Sequence, residues 1–211
     1  MAINNLLAVM RLVAVALVAC AVPTADAAPD AATKEAAVKL AVNLCGSCHG
    51  PDGRGDNPRI PRLAAQQRAY IEVQLKAFRN QSRGDYAAHE SMWGIAATLN
   101  DDVVAALAEY FSAQKPGIGV AAANKEAAAK GRTLFERGSP ERGLPPCTSC
   151  HGIDGEGLAV FPRLASQHGE YLFIQLQAIR NKLRASPVMH GLIKELTDDE
   201  IVALAAYLES K

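Results

Sequence analysis

The chain of 211 residues carries 22 basic and 22 acidic side chains, so its formal net charge at pH 7 is zero. Balanced charge leaves no polybasic footprint and argues against a nucleic-acid partner. Aromatic residues are 5% of the total, which is little for packing two cores, and a domain of roughly 85 residues is marginally stable when side chains alone must fill it.

Residues 1–27 read as a signal peptide. Arg11 is followed by the apolar run from Leu12 to Val22, and Ala25-Asp26-Ala27 meets the small-residue rule for cleavage before Ala28. The mature chain is therefore expected in the periplasm. Leu17-Val18-Ala19-Cys20 also resembles a lipoprotein box, which would make Cys20 a lipidated first residue and add peripheral membrane association through one anchor. No other stretch approaches the roughly 20 apolar residues of a membrane span.

A helix predicted over Thr33 to Leu44 leads into Cys45-Gly-Ser-Cys48-His49. Cys-x-x-Cys-His is the pattern at which haem is attached covalently. Each thiol adds to a vinyl group, and the adjacent histidine becomes the proximal ligand of the iron. A second copy, Cys147-Thr-Ser-Cys150-His151, implies a second haem. A zinc ribbon would place its two Cys-x-x-Cys arms roughly 15 to 20 residues apart, whereas a domain's length of chain separates these. A thioredoxin-type dithiol sits in a βαβ pattern, and no β-branched, alternating run precedes either motif. Four of the five cysteines lie in the motifs and Cys20 lies in the signal segment, so no thiol remains for a structural disulfide.

After His49 come the glycine-rich turn Gly50 to Gly55 and then Pro61-Arg62-Leu63-Ala64. A helix follows with Ile71, Leu75 and Phe78 at i, i+4 and i+7. Asn100-Asp101-Asp102 opens another, whose apolar face is Val104, Leu107, Ala108 and Phe111. Lys115-Pro116-Gly117-Ile118-Gly119 has the breakers of a linker. The second half then repeats the first. A helix over Asn124 to Arg137 precedes the motif, Gly152 to Gly157 is the turn, and Pro162-Arg163-Leu164-Ala165 follows. Gln167, Tyr171, Gln175, Arg180 and Asn181 match Gln66, Tyr70, Gln74, Arg79 and Asn80 at an offset of 101. Leu172, Leu176 and Ile179 repeat the apolar stripe. Thr197-Asp198-Asp199-Glu200 is a capping box before the final helix. The halves differ in two places: 81–91 is four residues longer than its counterpart 182–188, and the loop 138–146 has no equivalent before Cys45.

These elements predict an all-α protein with a signal peptide at 1–27, an N-terminal domain at 28–115, a linker at 116–123 and a C-terminal domain at 124–211. The sixth ligand of each iron decides the chemistry, because a haem with two protein ligands moves electrons while one with an open position binds small molecules. Met1 and Met10 lie in the signal segment, leaving Met92 and Met189, one per repeat, in the matching contexts Met-Trp-Gly-Ile and Met-His-Gly-Leu. His49 and Met92, with His151 and Met189, are thus the candidate iron ligands, and Cys45, Cys48, Cys147 and Cys150 the candidate attachment points. His89, His168 and His190 have no equivalents in the other repeat and read as surface or structural residues.

With both motifs, both Pro-Arg-Leu-Ala segments, the Gln and Tyr positions after them and the paired methionines in view, nearly all the mature chain resembles the dihaem cytochrome c4 family. The resemblance implies two tandem cytochrome c domains, each wrapped around one covalent c-type haem iron. It implies that the Pro61 and Pro162 carbonyls fix the proximal imidazoles, and it makes Tyr70, Tyr171, Arg62 and Arg163 candidates for contacting propionates. It further implies a respiratory electron carrier, not an enzyme, with redox-protein partners such as a membrane quinol-oxidising complex and a terminal oxidase, and no small-molecule substrate. Two other readings stay open: the cytochrome subunit of a flavin-linked sulfide dehydrogenase, and a dihaem peroxidase or thiosulfate dehydrogenase.

Overall fold

The computed structural model describes residues 28–86 and 88–211; the signal segment, Cys20 included, lies outside the described residues. Helix α1 (Ala31–Leu40) begins two residues before the predicted start, because the Asp30 side chain accepts from the Thr33 amide and caps it. It runs through a wide five-residue turn (Ala41–Cys45) into α2 (Gly46–His49). After an irregular stretch come α3 (Arg68–Arg79), the turn Ala88–Met92, α4 (Trp93–Ala96) and α5 (Asp101–Ser112), the last capped by Asn100. The second half supplies α6 (Lys125–Arg137), α7 (Thr148–His151), α8 (Gly169–Arg180), α9 (Pro187–Ile193) and α10 (Asp198–Glu209). The predicted capping box at Thr197 and Glu200 is formed in full. Helix α9 was not legible in the sequence; Pro187 opens it, at a position where a missing amide costs nothing.

Each half is a three-helix frame. In the first, α1 and α3 pack on α5; in the second, α6 and α8 pack on α10. Small residues let the helices cross closely: Ala37 and Ala41 are buried against Val104, Leu107 and Phe111, and Gly131 of α6 lies against the Ala203 backbone of α10. The apolar cores of the halves are separate clusters, and a polar seam joins them with near two-fold symmetry. The Arg62 amide donates to Gln167 Oε1 at 2.9 Å and Gln167 Nε2 donates to the Arg62 carbonyl at 3.0 Å. Gln66 makes the same pair with Arg163, at 2.7 and 3.0 Å. The inserted loop 138–146 closes on itself through the Ser139–Leu144 bridge, and the Cys147 amide returns to the Phe135 carbonyl at 2.9 Å. Among the described residues no helix is long and apolar enough to cross a membrane.

A Cβ at Gly131 would fall on the Ala203 carbonyl oxygen, so Gly131→Ala should destabilise the holoprotein by about 2–3 kcal/mol in thermal or denaturant unfolding. Gly191→Ala, where nothing lies within 4 Å, should be neutral or slightly stabilising. Ala65 occupies the left-handed region with φ 57°, so Ala65→Gly should raise stability by about 1 kcal/mol.

Candidate haem sites

The two Cys-x-x-Cys-His motifs are held the same way. In each, the second cysteine and the histidine share one short helical turn, α2 or α7, and the chain then reverses through glycines. Gly53 has φ 77° and Gly155 φ 72°, and their carbonyls accept from Leu63 and Ala64, or from Leu164 and Ala165. This closure carries Pro61 and Pro162 back to the histidines. His49 Nδ1 lies 2.8 Å from the Pro61 carbonyl and His151 Nδ1 3.0 Å from that of Pro162. A carbonyl can only accept, so Nδ1 carries the proton in both rings and Nε2 is left with its lone pair. Both rings are buried, at 9% and 5% exposure. Burial holds both imidazoles below the ordinary histidine value, against the opposing effect of the proline carbonyl, so they stay neutral and able to bind a metal.

The four motif cysteines form no disulfide. Burial raises the Cys45 thiol and pushes Cys147 up to about 11. A dithiol built for redox exchange needs the opposite shift, so these positions suit a permanent covalent bond better than a reactive thiolate.

Three buried side-chain polar atoms stand without a hydrogen-bond partner among the described residues: His151 Nε2, Arg62 Nε and Arg163 Nε. The first is the atom that would ligate iron, and the other two are N–H donors of the kind that bind carboxylates. The residues present therefore fit a haem with its propionates. Arg62 is also tied to protein, its Nη1 donating to the Ser166 and Ile118 carbonyls at 2.6 and 3.1 Å.

The candidate distal ligands are placed differently in the two halves. Met189, in α9, packs into the cluster that also holds Cys147, Leu164 and Leu176. Met92, at the end of the turn before α4, packs with Phe78, Ala88, Ala96 and Trp93, a cluster distinct from the one containing Cys45. This is the half with the longer 81–91 segment. The other histidines are engaged elsewhere: His168 is buried with Nε2 2.7 Å from the Gly55 carbonyl, His190 Nδ1 is 3.1 Å from the Ile179 carbonyl, and His89 lies edge-on to Trp93.

Sequence reasoning missed a polar cluster buried between the halves. Arg83 and Arg184 reach Gln74 and Gln175, and each donates to the tyrosine of the opposite half, Arg184 to Tyr70 at 2.6 Å and Arg83 to Tyr171 at 3.4 Å. Burial resists ionisation of Tyr171, yet the two guanidiniums hold its phenol below the usual tyrosine range. Arg83 and Arg184 share the 101-residue offset of the repeat, and continuing the alignment past Asn80 and Asn181 would have found them.

A family model described as cytochrome c matches residues 35–115 and again 128–211. The chain is 39% identical over 189 residues to a cytochrome c4 of Thiocapsa roseopersicina, covering 87% of this chain and 95% of that protein. It is 37% identical over 174 residues to a thiosulfate dehydrogenase electron acceptor of Stutzerimonas stutzeri (strain A1501), covering 79% and 78%. The crystal structure of reduced recombinant cytochrome c4 from Pseudomonas stutzeri superposes with a TM-score of 0.75 at 34% identity, over 87% of this chain and 99% of that one. A duplicated domain, two imidazoles held with Nε2 bare, and relatives that match both halves at once have one common explanation: the chain belongs to the dihaem cytochrome c4 family, an electron carrier with two covalently bound c-type haems.

Proposed function

We propose that the mature chain is a periplasmic single-electron carrier in which His49 and Met92 hold one haem iron and His151 and Met189 the other, with Cys45, Cys48, Cys147 and Cys150 as the thioether positions. The observation that supports this reading is that each repeat holds one buried, carbonyl-anchored histidine and one half-buried methionine. Bound there, each haem supplies one-electron Fe(II)/Fe(III) chemistry, and methionine ligation favours a high potential. The protein's own part is to fix each imidazole through its Nδ1–H, to exclude water with the apolar clusters, and to leave neither iron an open position for a substrate. A quinol-oxidising membrane complex as donor and a terminal oxidase as acceptor fit such a carrier.

The resemblance to thiosulfate dehydrogenase electron acceptors favours a second donor, an enzyme that oxidises sulfur compounds. Stopped-flow reduction by a purified thiosulfate dehydrogenase with thiosulfate, compared with reduction by a quinol-oxidising complex, separates the two. Fast reduction by the first alone would assign the chain to sulfur oxidation, and by the second alone to respiration.

Methionine sulfur on ferric haem gives a weak far-red charge-transfer band. The ferric protein should show that band in full for two irons, and Met92→Ala or Met189→Ala should each remove half of it. Each substitution should also lower the potential of its own haem by on the order of 0.1–0.3 V, within the roughly 0.8 V over which axial ligands set haem potentials. A wild-type band worth one iron or none would overturn the ligand assignment.

A further inference from the structure

Helix α9 carries Met189 on one side and leaves another side bare. Residues two apart on a helix do not share a face, so Gly191 lies away from the candidate ligand. It is exposed, and a Cβ added to it would meet nothing within 4 Å. Glycine weakens a helix relative to alanine, and here neither a positive φ nor a close neighbour in the chain calls for it. Gly94, two residues after Met92, is exposed and open in the same way. A side chain that the fold has room for and does not use leaves the backbone open to a surface from outside.

Around Gly191 that surface is apolar and basic. Pro187 and Lys194 lie on its stripe of α9, at i−4 and i+3, and both are exposed; Val188 beside them is 68% exposed. The turn after α8 adjoins this face. The Lys182 amide donates to the Ile179 carbonyl at 3.1 Å, and His190 of α9 reaches the same carbonyl through Nδ1 at 3.1 Å. That turn presents Lys182 and Leu183 to solvent. Nearby, Arg180 is paired with Asp198 and Arg184 is buried, but Lys182 and Lys194 have no ion pair among the described residues. Glu195 is the single acidic side chain between Arg180 and Leu196. In the first half Gln81 and Ala97 stand where the second has Lys182 and Lys194, and Glu90 is exposed. A further exposed apolar group of the second half, Ile153, Leu158 and Val160, follows the histidine, and Lys211 beside it is already paired with Asp154.

We propose that the α9 face centred on Gly191 and rimmed by Lys182 and Lys194 is the docking surface for an acidic electron-transfer protein, one that presents a small apolar spot edged with carboxylates. An apolar centre with a charged rim of complementary sign is the usual anatomy of an interface that must form quickly and in one orientation. The lysines steer the encounter, Leu183 and Val188 seat it, and the bare backbone at Gly191 lets the partner touch the chain two residues from Met189. This inference rests on the carrier reading above and names the partner chemistry of its C-terminal site.

The test uses the holoprotein and flavodoxin, a strongly acidic one-electron donor, as the probe, with free lumiflavin as a small uncharged comparison. Flash photolysis generates the semiquinone of either flavin, which gives one electron to a ferric haem and its proton to water. Reduction of the wild type by flavodoxin should slow as salt rises. Reversing both charges, Lys182→Glu with Lys194→Glu, should slow it about tenfold at low ionic strength. The same change of net charge at Lys115 and Lys125, exposed residues flanking the linker, should have a distinctly smaller effect. Gly191→Leu should slow it about fivefold at every salt concentration, as when one central contact of an interface is lost, without lowering the unfolding temperature. Free lumiflavin should reduce all four proteins at one rate. Equal slowing by the two charge reversals, a Gly191→Leu rate equal to wild type, or a slowing shared by free lumiflavin would overturn the proposal. The far-red band of the same samples keeps the two readings apart: a wild-type band short of two irons sinks the methionine assignment, while the flavodoxin rates still decide the surface.

Discussion

Everything in this fold serves one constraint: an imidazole has to be buried with one nitrogen bonded and the other bare. A buried nitrogen without a partner costs roughly 1–3 kcal/mol when nothing binds it, a cost that a metal would remove by taking up the lone pair. The proline carbonyl sets the proton on Nδ1, the glycine reversal sets the proline, and the helix frame sets the reversal through Ala65 and Ser166, whose amides donate to the Phe111 and Leu208 carbonyls of α5 and α10. The terminal helix of each half is thereby linked, bond by bond, to the position of its histidine. Both Ala65 and Ser166 accept a left-handed backbone to make that link, a local strain the rest of the fold holds in place.

The same unit is used twice and then joined by a seam unlike either core. Within each half the packing is apolar and close; between the halves glutamine side chains pair with the backbone, and arginines cross to the opposite tyrosines. Such directional bonds fix the rotation of one half against the other, which an apolar contact of this size would leave less defined. A fixed relation is what a two-centre electron carrier needs, since transfer between centres depends on their separation.

Much of this was legible in the sequence. The motifs announced the attachment chemistry outright, the 101-residue offset exposed the repeat, and Asn100 and Thr197 announced their helices because capping is a local interaction between residues three apart. Helix α9 escaped because its seven residues are too few for a periodic pattern. Arg83, Asp85 and Arg184 escaped for a different reason. A polar residue after a helix reads as solvent-facing, and only the packing of a second half against it turns exposed charge into buried charge. The longer 81–91 segment was visible as a difference in length; that it carries a buried carboxylate is a fact of tertiary structure.

The segment 116–123, which reads as a simple linker, is pinned in mid-course to both halves. Its Ile118 carbonyl accepts from Arg62 of the first half at 3.1 Å, and its Val120 amide donates to the Glu209 carbonyl of the second at 3.0 Å. A tether this short holds the halves at a mutual concentration on the order of millimolar or above. The seam therefore need not be strong by the standards of two separate proteins, and its residues are free to be selected for charge and orientation instead of for grip. Covalent continuity, in this molecule, relieves an interface of the duty of assembly.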